Sequence, residues 1–279
     1  MLKLLKLCLV VHYHLLKTMC ALKRYFIPIS KAGPKIICNY CCKMKKFSRR
    51  PDKYPLQIRY DNARTLALKV SKDLLVEINV EGLENIPHDR VSCYVGNHLG
   101  DFDPFLLFAA LNEPFTFVAK KETRKFPFVG TFLKSISGEF MDRKDLRQSL
   151  KVMNRVEEDL RQGNKNWVIF PEGTRNKDPQ KLCLDFHHGT FRAPMRAGVP
   201  IIPFVLIGTQ RIFKTKPVYK KYPVFIKLLK PIFPEGYQNM TSQEVALEVK
   251  SRIQKTLSFE MRTKDLIEMK RLNPKYNPF

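Results

Sequence analysis

Short segments made almost entirely of apolar residues recur along the chain and alternate with segments that have helical spacing. Strands are predicted at 74–80, 91–95, 115–119, 167–170, 200–207 and 224–229. Strands that are buried on both faces read as continuous apolar runs, because helices cover both sides of the sheet. The pattern therefore predicts an α/β fold with a largely parallel, twisted sheet flanked by helices. A chain of 279 residues is long enough to bury such a core.

Four helices are predicted from capping and spacing signals, at 103–111, 145–162, 188–197 and 241–272. Asp103 followed by Pro104 is typical of a helix start, with Asp103 as the N-cap. Thr241 and Glu244 have the spacing of a capping box. The helix at 145–162 is expected to bury one face, formed by Leu146, Leu150, Met153, Val156 and Leu160.

The first 50 residues are strongly basic and carry half of the excess charge. They contain twelve Lys and Arg residues and no acidic residue, whereas the whole chain has a formal net charge of +24. At helical spacing, five basic side chains fall within an arc of about 80°; they are Lys3, Lys6, His14, Lys17 and Arg24. Such a helix is typical of a segment that lies in a membrane interface. A signal peptide, a transmembrane span and a helix packed on the protein's own core are the alternatives.

A net charge of +24 indicates a polyanionic partner, either nucleic acid or an anionic membrane surface. The sequence has no zinc-finger spacing, no RNA-binding aromatic signature and no helix-turn-helix pattern, so we expect a membrane and no nucleic acid. A second basic cluster, at 43–51, suits either a solvated linker or a patch that binds lipid headgroups.

The chain has seven cysteines, an odd number without the spacing of a disulfide framework, which indicates reduced thiols in a cytoplasmic setting. Cys38, Cys41 and Cys42 resemble half of a zinc site, but no second pair of ligands follows at the required spacing. We therefore expect no metal site, and expect these thiols to pack near the membrane.

A histidine and an aspartate, five positions apart, follow the strand predicted at 91–95. A carboxylate that holds one ring nitrogen of a histidine leaves the other nitrogen free to take a proton from a hydroxyl. His98 and Asp103 are therefore a candidate general base and its orienting carboxylate, with the substrate's own alcohol as the nucleophile. The alternative for Asp103 is an ordinary helix cap.

A second polar cluster, at 170–175, follows the strand predicted at 167–170. Its Pro and Gly residues predict a tight loop whose backbone N–H groups can bind an anion. Arg175 offers a forked donor that suits a phosphate, although an ordinary turn with a surface arginine is the alternative. A further strand, predicted at 138–143, ends on Arg143, and two arginines at one sheet edge can hold one phosphate.

Four blocks of the sequence together resemble the 1-acyl-sn-glycerol-3-phosphate acyltransferases of the glycerolipid acyltransferase superfamily. The resemblance covers roughly residues 80–207, and all four blocks occur in the family's order. The blocks are Asn97-His98-x4-Asp103, Gly138-x-Phe140-x-x-Arg143, Phe170-Pro171-Glu172-Gly173-Thr174-Arg175 and Val199-Pro200-Ile201-Ile202-Pro203.

The resemblance implies a membrane-associated O-acyltransferase of phospholipid biosynthesis that acylates the 2-hydroxyl of lysophosphatidate to give phosphatidate. It implies that His98 is the general base and that Asp103 orients it. The donor would be an acyl-CoA or acyl carrier protein thioester, with no metal and no further cofactor. The residues implied to bind the lysophospholipid acceptor are Arg143, Glu172, Gly173, Thr174 and Arg175, with Lys120 as a further phosphate contact.

Members of the family often begin with a two-helix motif that docks on the membrane, and the basic N-terminal segment suits that role. The chain is accordingly predicted to consist of a basic amphipathic membrane-associating segment, 1–55, and an acyltransferase domain with a C-terminal helix, 56–279. We expect it at the cytoplasmic face of the cell membrane.

The sequence departs from the family's pattern at three places. Gly100 stands where serine is usual, Asn176 replaces a serine, and His187-His188 stand where lysine is common. None of these changes removes a catalytic group, so they bear on the acceptor. Another lysolipid or glycerol 3-phosphate is the alternative acceptor. A non-catalytic basic protein that binds membrane or nucleic acid is the alternative from another class.

Overall fold

The computed structural model describes residues 30–178, 181–212 and 221–276. The basic amphipathic helix predicted for the first 24 residues lies outside these ranges. Each short apolar segment that predicted a strand forms one in the structure, with ends that differ by two residues at most.

A seven-stranded sheet runs through the molecule in the order β1-β7-β6-β2-β5-β3-β4. Its strands are β1 Val76–Glu81, β2 Cys93–Gly96, β3 Phe115–Lys120, β4 Glu139–Met141, β5 Asn166–Ile169, β6 Ile201–Ile207 and β7 Tyr222–Leu228. Strands β6, β2, β5, β3 and β4 are parallel to one another. Strand β7 runs antiparallel to β6, and β1 is parallel to β7. The prediction of a largely parallel sheet is confirmed. The two strands at one side, β7 and β1, run in the opposite direction to the other five.

Helices lie on both faces of this sheet. They are α1 (30–49), α2 Leu56–Asp73, α3 Asp103–Ala110, α4 Pro127–Ser135, α5 Leu146–Arg161, α6 Arg192–Ala197, α7 Pro234–Tyr237, α8 Ser242–Thr256 and α9 Arg262–Leu272. A π-helical turn at Leu257–Met261 joins α8 to α9. The predicted capping box of α8 is confirmed, because the Thr241 hydroxyl accepts the Glu244 N–H and the Glu244 carboxylate accepts the Thr241 N–H.

Alternate residues of the buried strands supply two cores, one on each face of the sheet. In β5, Val168 belongs to a core that contains Tyr60 and Phe108, whereas Trp167 belongs to a second core that contains Val249. Helices α2, α3 and α4 cover the first core, and α5, α6 and α8 cover the second. Because both faces are covered, the central strands β2 and β6 are buried along their whole length.

The basic cluster at 43–51 lies mostly on α1, which packs against α4. Met44 and Phe47 of this cluster are buried. The Lys45 ammonium group lies 4.7 Å from the ring centroid of Tyr40, within the range of a cation–π contact. The cluster therefore has a packed face and is not a solvated linker, while headgroup binding by its exposed lysines stays a prediction.

The three cysteines of α1 are exposed to solvent and do not pack into the protein. In the described ranges, no three His, Cys, Asp or Glu side chains are grouped so that they could hold a metal ion. In the same ranges, no helix has both the length and the apolar character that crossing a bilayer requires.

The face that α5 buries differs from the predicted one. Val152, Val156 and Leu160 are buried, whereas Leu146 and Leu150 are 74% and 51% exposed. At 100° per residue the buried stripe is centred near Val156, and Leu150 lies roughly 120° away from it. The prediction was wrong for the two leucines and omitted Val152.

Polar contacts attach the first turn of α5 to the neighbouring strand, which explains why its leucines remain outside. Asp145 caps the helix by accepting the Gln148 N–H at 3.1 Å. Gln148 Nε2 donates to the Phe140 carbonyl at 2.7 Å, and the Ser149 hydroxyl donates to the Asp142 carbonyl at 2.8 Å. This end of the helix is therefore fixed without apolar burial.

A buried ion pair ties the C-terminal helix to the turn after β6. Arg211 donates from Nη1 to Asp265 Oδ2 at 2.7 Å and from Nη2 to Asp265 Oδ1 at 2.5 Å. Nη2 also donates to the Pro223 carbonyl at 2.8 Å. Both charged side chains are buried, so each depends on the other for its stability in the interior.

Asp265→Asn should lower the free energy of unfolding by about 3 kcal/mol, because it leaves the Arg211 charge buried without a counter-charge. Glu268→Gln is the matched control, since Glu268 pairs with Arg271 on the exposed side of the same helix, and exposed pairs contribute about 1 kcal/mol or less. Urea unfolding followed by circular dichroism measures both changes. Equal losses in the two variants would contradict the assignment.

Candidate active site

Five parallel strands end on one edge of the sheet, and polar loops follow them there. The register pairs Val95 of β2 with Ile169 of β5, so the loops after these two central strands leave the sheet side by side. The carboxyl ends of parallel strands are where functional side chains collect in such sheets. The structure places all the residues predicted for the site on this edge: His98, Asp103, Lys120, Arg143, Glu172, Gly173, Thr174 and Arg175.

Asp103 is completely buried, and its Oδ2 atom accepts three hydrogen bonds. The donors are His98 Nδ1 at 2.8 Å, the backbone N–H of Leu99 at 2.6 Å and the backbone N–H of Gly100 at 3.0 Å. The structure therefore brings together the histidine and the aspartate that the sequence analysis paired.

The helix-cap interpretation of Asp103 is wrong. Helix α3 begins at Asp103 itself, its N-cap is Phe102, and no side chain caps it by a hydrogen bond. The Asp103 carboxylate turns back to the preceding loop, because three donors converge on it there.

The His98 ring is fixed on one side and open on the other. It stacks on Phe170 with ring centroids 4.4 Å apart, and its side chain is 17% exposed. A carboxylate at Nδ1 favours the tautomer that carries its proton on Nδ1, which leaves a lone pair on Nε2. Among the described residues, Nε2 has no hydrogen-bond partner. A hydroxyl that approaches this nitrogen can donate its proton to it.

Glu172 is buried and joins the loop after β2 to the chain at Leu184. Its Oε1 accepts the backbone N–H of His98 at 2.8 Å, and its Oε2 accepts the backbone N–H of Leu184 at 2.8 Å. Burial raises the pKa of Glu172, while the two N–H donors oppose that rise by stabilising the ionised form. These contacts assign a positioning role to Glu172, and its contact with an acceptor stays a prediction.

Two buried asparagines, absent from the predicted set of site residues, hold the loop that carries His98. Asn97 donates to the Leu206 carbonyl at 2.9 Å and accepts the Leu206 N–H at 2.8 Å, which fastens the end of β2 to β6. The Asn176 N–H donates to the His98 carbonyl at 2.7 Å. Both residues lie within or beside the sequence blocks, but only the folded chain shows which backbone groups they contact.

The loop after β5 makes the tight turn that its Pro and Gly residues predicted. Gly173 has a φ of +64°, in the left-handed region that favours glycine. A Cβ atom at this position would lie 3.0 Å from the ring of His187. The backbone N–H of His187 donates to the Pro171 carbonyl at 2.9 Å. Thr174 is exposed beside it. One of the two histidines that depart from the family's pattern therefore lies against this loop.

The three cations predicted to bind phosphate differ in their distance from the loop that carries His98. Arg175 Nη1 donates to Asp101 Oδ2, so the loop after β5 is linked directly to the loop after β2. Arg143 is exposed after β4, two strands away from β5, which is about 10 Å at ordinary strand spacing. Lys120 pairs with Glu122 at 3.2 Å. Of the three, Arg175 is the one that the structure places beside the loop that carries His98.

Gly100 leaves space next to Asp103. A Cβ atom there would lie 3.5 Å from Asp103 Oδ1 and 3.4 Å from the Thr209 carbonyl oxygen, both ordinary contact distances. Asp103 Oδ1 is buried and accepts no hydrogen bond from the described residues. The serine that is usual at this position therefore fits, and its absence leaves the His98–Asp103 contact intact.

Comparison with known proteins identifies the family. The acyltransferase family model matches residues 77–207, a range that holds His98, Asp103 and the loop after β5. Residues 77–207 form an acyltransferase domain. The crystal structure of a 1-acyl-sn-glycerophosphate acyltransferase from Thermotoga maritima has a TM-score of 0.64 and 24% identity to this acyltransferase, over 86% of this chain and 94% of that one. This likeness confirms the α/β fold.

Curated relatives carry related names. A Mycoplasma pneumoniae protein named "Probable 1-acyl-sn-glycerol-3-phosphate acyltransferase" is 29% identical in an alignment 225 residues long that covers 76% of this chain and 83% of that protein. A 1-acyl-sn-glycerol-3-phosphate acyltransferase of Saccharomyces cerevisiae is 27% identical over 65% of this chain and 60% of its own length. One of Borreliella burgdorferi is 30% identical over 50% of this chain and 54% of its own length. The matches to these last two span little more than half of each relative.

Glu172→Gln should lower kcat by about tenfold or more while the KM of the acyl acceptor changes little, since the amide cannot accept both the His98 and the Leu184 N–H groups and the histidine shifts. Steady-state acyl transfer at varied acceptor concentration separates the two constants. Glu84→Gln, at an exposed glutamate in the turn after β1, is the control. A raised acceptor KM with unchanged kcat would instead assign Glu172 to acceptor binding.

Proposed function

We propose that this acyltransferase transfers a fatty acyl group from an acyl thioester to the 2-hydroxyl of 1-acyl-sn-glycerol 3-phosphate, which gives phosphatidate for phospholipid synthesis. The observation that carries the proposal is the imidazole of His98, held by Asp103 through Nδ1 and open at Nε2, beside a loop that carries Arg175. The names of the relatives support this choice of acceptor.

The proposed reaction uses His98 first as a base and then as an acid. Nε2 takes the proton of the 2-hydroxyl while the hydroxyl oxygen attacks the thioester carbonyl carbon. A C–O bond forms, the C–S bond breaks, and the imidazolium returns its proton to the departing thiolate. Asp103 stabilises the imidazolium between these two events. The donor is acyl-CoA or an acyl carrier protein thioester, and the step requires no metal, no further cofactor and no acyl-enzyme.

The acceptor's phosphate is proposed to bind at the loop after β5. Arg175 is paired there with an exposed carboxylate, Asp101, which a phosphate can replace at small cost because exposed ion pairs are weak. A guanidinium can then bind two phosphate oxygens at once. Arg143 and Lys120, farther along the same edge, are proposed to approach the phosphate from its other side. Gly173 and Thr174 complete this loop.

Other acceptors remain as alternatives to lysophosphatidate. Another lysolipid or glycerol 3-phosphate would use the same His98–Asp103 pair and would differ only in the groups that fill the acceptor site. A panel of acceptors with one acyl donor distinguishes them by product.

The buried carboxylate of Asp103 argues against a non-catalytic protein that binds membrane or nucleic acid. Burying a carboxylate is expensive unless hydrogen bonds compensate it, and Asp103 receives three donors in a loop that also exposes one nitrogen of His98. Binding to a surface requires neither feature, whereas proton transfer requires both.

The proposed substrate and product are amphiphiles that reside in membranes, so we place the enzyme on an anionic membrane surface. The cytoplasmic face is proposed because thioester donors are supplied there. The basic N-terminal segment suits that attachment, with anionic headgroups opposite its cations. Nucleic acid is not needed to explain the net charge of +24.

His98→Ala should reduce acyl transfer to lysophosphatidate by about a thousandfold, because it removes the base, while binding to vesicles is unchanged. His88→Ala is the matched control, since His88 is an exposed histidine paired with Glu113 at 3.1 Å and lies before β2, away from the active-site edge. Product formation from a labelled acyl-CoA measures the rate. Full activity in the His98 variant would refute the mechanism.

Arg175→Ala should raise the KM of lysophosphatidate by about tenfold or more, because a charged hydrogen bond to the phosphate is lost. Arg90→Ala is the control, as Arg90 also pairs with a neighbouring exposed aspartate, Asp89, but lies away from the active-site edge. Initial rates over a range of lysophosphatidate concentrations give both KM values. An unchanged KM in the Arg175 variant would remove this arginine from the phosphate site.

A further inference from the structure

The turn between β3 and α4, defined here as the 121–129 turn, exposes an aromatic ring at the active-site edge. It consists of a 3₁₀ helix, Lys121–Lys125, then Phe126 and the first residues of α4. Phe126 is 63% exposed and Val129 is 36% exposed. Because β3 is one of the five parallel strands, this turn lies on the same edge as the loops that carry His98 and Arg175.

A hydrogen-bonded backbone holds the Phe126 ring outside the protein. The Phe126 N–H donates to the Thr123 carbonyl at 3.1 Å, and the Phe126 carbonyl accepts the Gly130 N–H at 2.9 Å. A Cβ atom at Gly130 would lie 2.8 Å from the Arg124 carbonyl oxygen, so the close approach of the two segments requires glycine. Phe132 is buried and anchors α4 on the core. The exposure of Phe126 is therefore built into the fold.

The segment that leads to this ring is rich in cations. Lys120 pairs with Glu122 and Lys121 pairs with Asp142. Arg124 and Lys125, immediately before the ring, are exposed and form no ion pair with any residue that the structure describes. An exposed aromatic ring among unpaired cations has the composition of a surface that contacts anionic lipid, where the ring enters the interface and the cations meet the headgroups.

Helix α1 carries further cations next to α4. It packs on α4, the helix that follows the 121–129 turn, and its second half carries most of the basic cluster at 43–51. The exposed side chains of that cluster include Lys43, Lys46 and Arg49. The two basic segments therefore lie on neighbouring elements, and both offer cations to an anionic bilayer.

We propose that the 121–129 turn is a second membrane contact, in which Phe126 enters the interface of an anionic phospholipid bilayer and Arg124 and Lys125 bind headgroups. The contact would aim the open side of His98 at the leaflet that holds the acceptor. The role of this contact in catalysis rests on the proposed function. The contact itself can be tested without measuring catalysis.

A tryptophan at this position reports the contact directly. The chain has one tryptophan, Trp167, which is completely buried and gives a constant background. Vesicles of phosphatidylglycerol and phosphatidylcholine should shift the emission of full-length Phe126→Trp to shorter wavelength, and should leave Phe259→Trp unshifted. Phe259 is a matched control because it is 79% exposed beside the core on the opposite face of the sheet. Unshifted Phe126→Trp emission from vesicle-bound protein would overturn the proposal.

Partition measurements test the energetics of the same contact. Phe126→Ala should weaken partition to anionic vesicles by about tenfold, because the ring no longer leaves water. Arg124→Gln with Lys125→Gln should weaken it by a similar factor, and only when the vesicles contain anionic lipid. Phe259→Ala, and Lys255→Gln with Lys270→Gln, are the controls, and their partition should match that of the unaltered chain. Equal partition of all variants would refute the surface.

Activity on two forms of the acceptor separates this proposal from the proposed function. The Phe126 and Arg124–Lys125 variants should lose acyl transfer to lysophosphatidate in vesicles by about tenfold, and should keep it on a short-chain lysophosphatidate dissolved as monomer. Equal losses on both acceptors would mean that the turn acts inside the active site, which contradicts the proposal. Failure of the unaltered chain to acylate either acceptor would refute the proposed function and leave the vesicle contact to stand on the fluorescence and partition results.

Discussion

One carboxylate oxygen organises the loop that carries His98 in this acyltransferase. Oδ2 of Asp103 is buried and accepts hydrogen bonds from the His98 ring and from the N–H groups of Leu99 and Gly100. A buried charge is tolerated only when donors surround it, so the backbone of the loop must turn toward this atom. The orientation of the imidazole follows from that requirement.

A second carboxylate repeats the arrangement from the other side of the loop. Glu172 accepts the His98 N–H with one oxygen and the Leu184 N–H with the other, and the His98 carbonyl accepts the Asn176 N–H. The backbone of His98 is thus fixed at both of its polar groups by the segment that follows β5. The neighbouring parallel strands β2 and β5 bring the two segments together, which is why the site requires a sheet of this topology.

Much of the fold could be predicted from the sequence, because burial on both faces leaves a plain apolar signature in the strands. The same physical reasoning failed for α5, where Leu146 and Leu150 stay exposed. The first turn of α5, which holds these leucines, is fixed by hydrogen bonds from Gln148 and Ser149 to backbone groups near β4. The spacing of hydrophobic residues in the sequence does not predict such bonds.

The candidate site was predicted through its residue types, but its supporting contacts were not. A histidine and an aspartate at this spacing indicate a base and its partner. The contacts of Asn97 with Leu206 join residues that are 109 positions apart, and only the order of the strands creates them. The exposure of the Phe126 ring could not be predicted either, because a phenylalanine before an apolar segment is expected to be part of the core.

The ion pair between Arg175 and Asp101 has a consequence for the end of the catalytic cycle. Lysophosphatidate and phosphatidate carry the same phosphate, so an unopposed arginine would hold the product as firmly as the substrate. If Arg175 binds the phosphate as proposed, Asp101 competes with either phosphate for the same guanidinium and pairs with Arg175 again when the product departs. Under the proposed function, a carboxylate that weakens the binding of substrate therefore hastens the release of phosphatidate into the membrane.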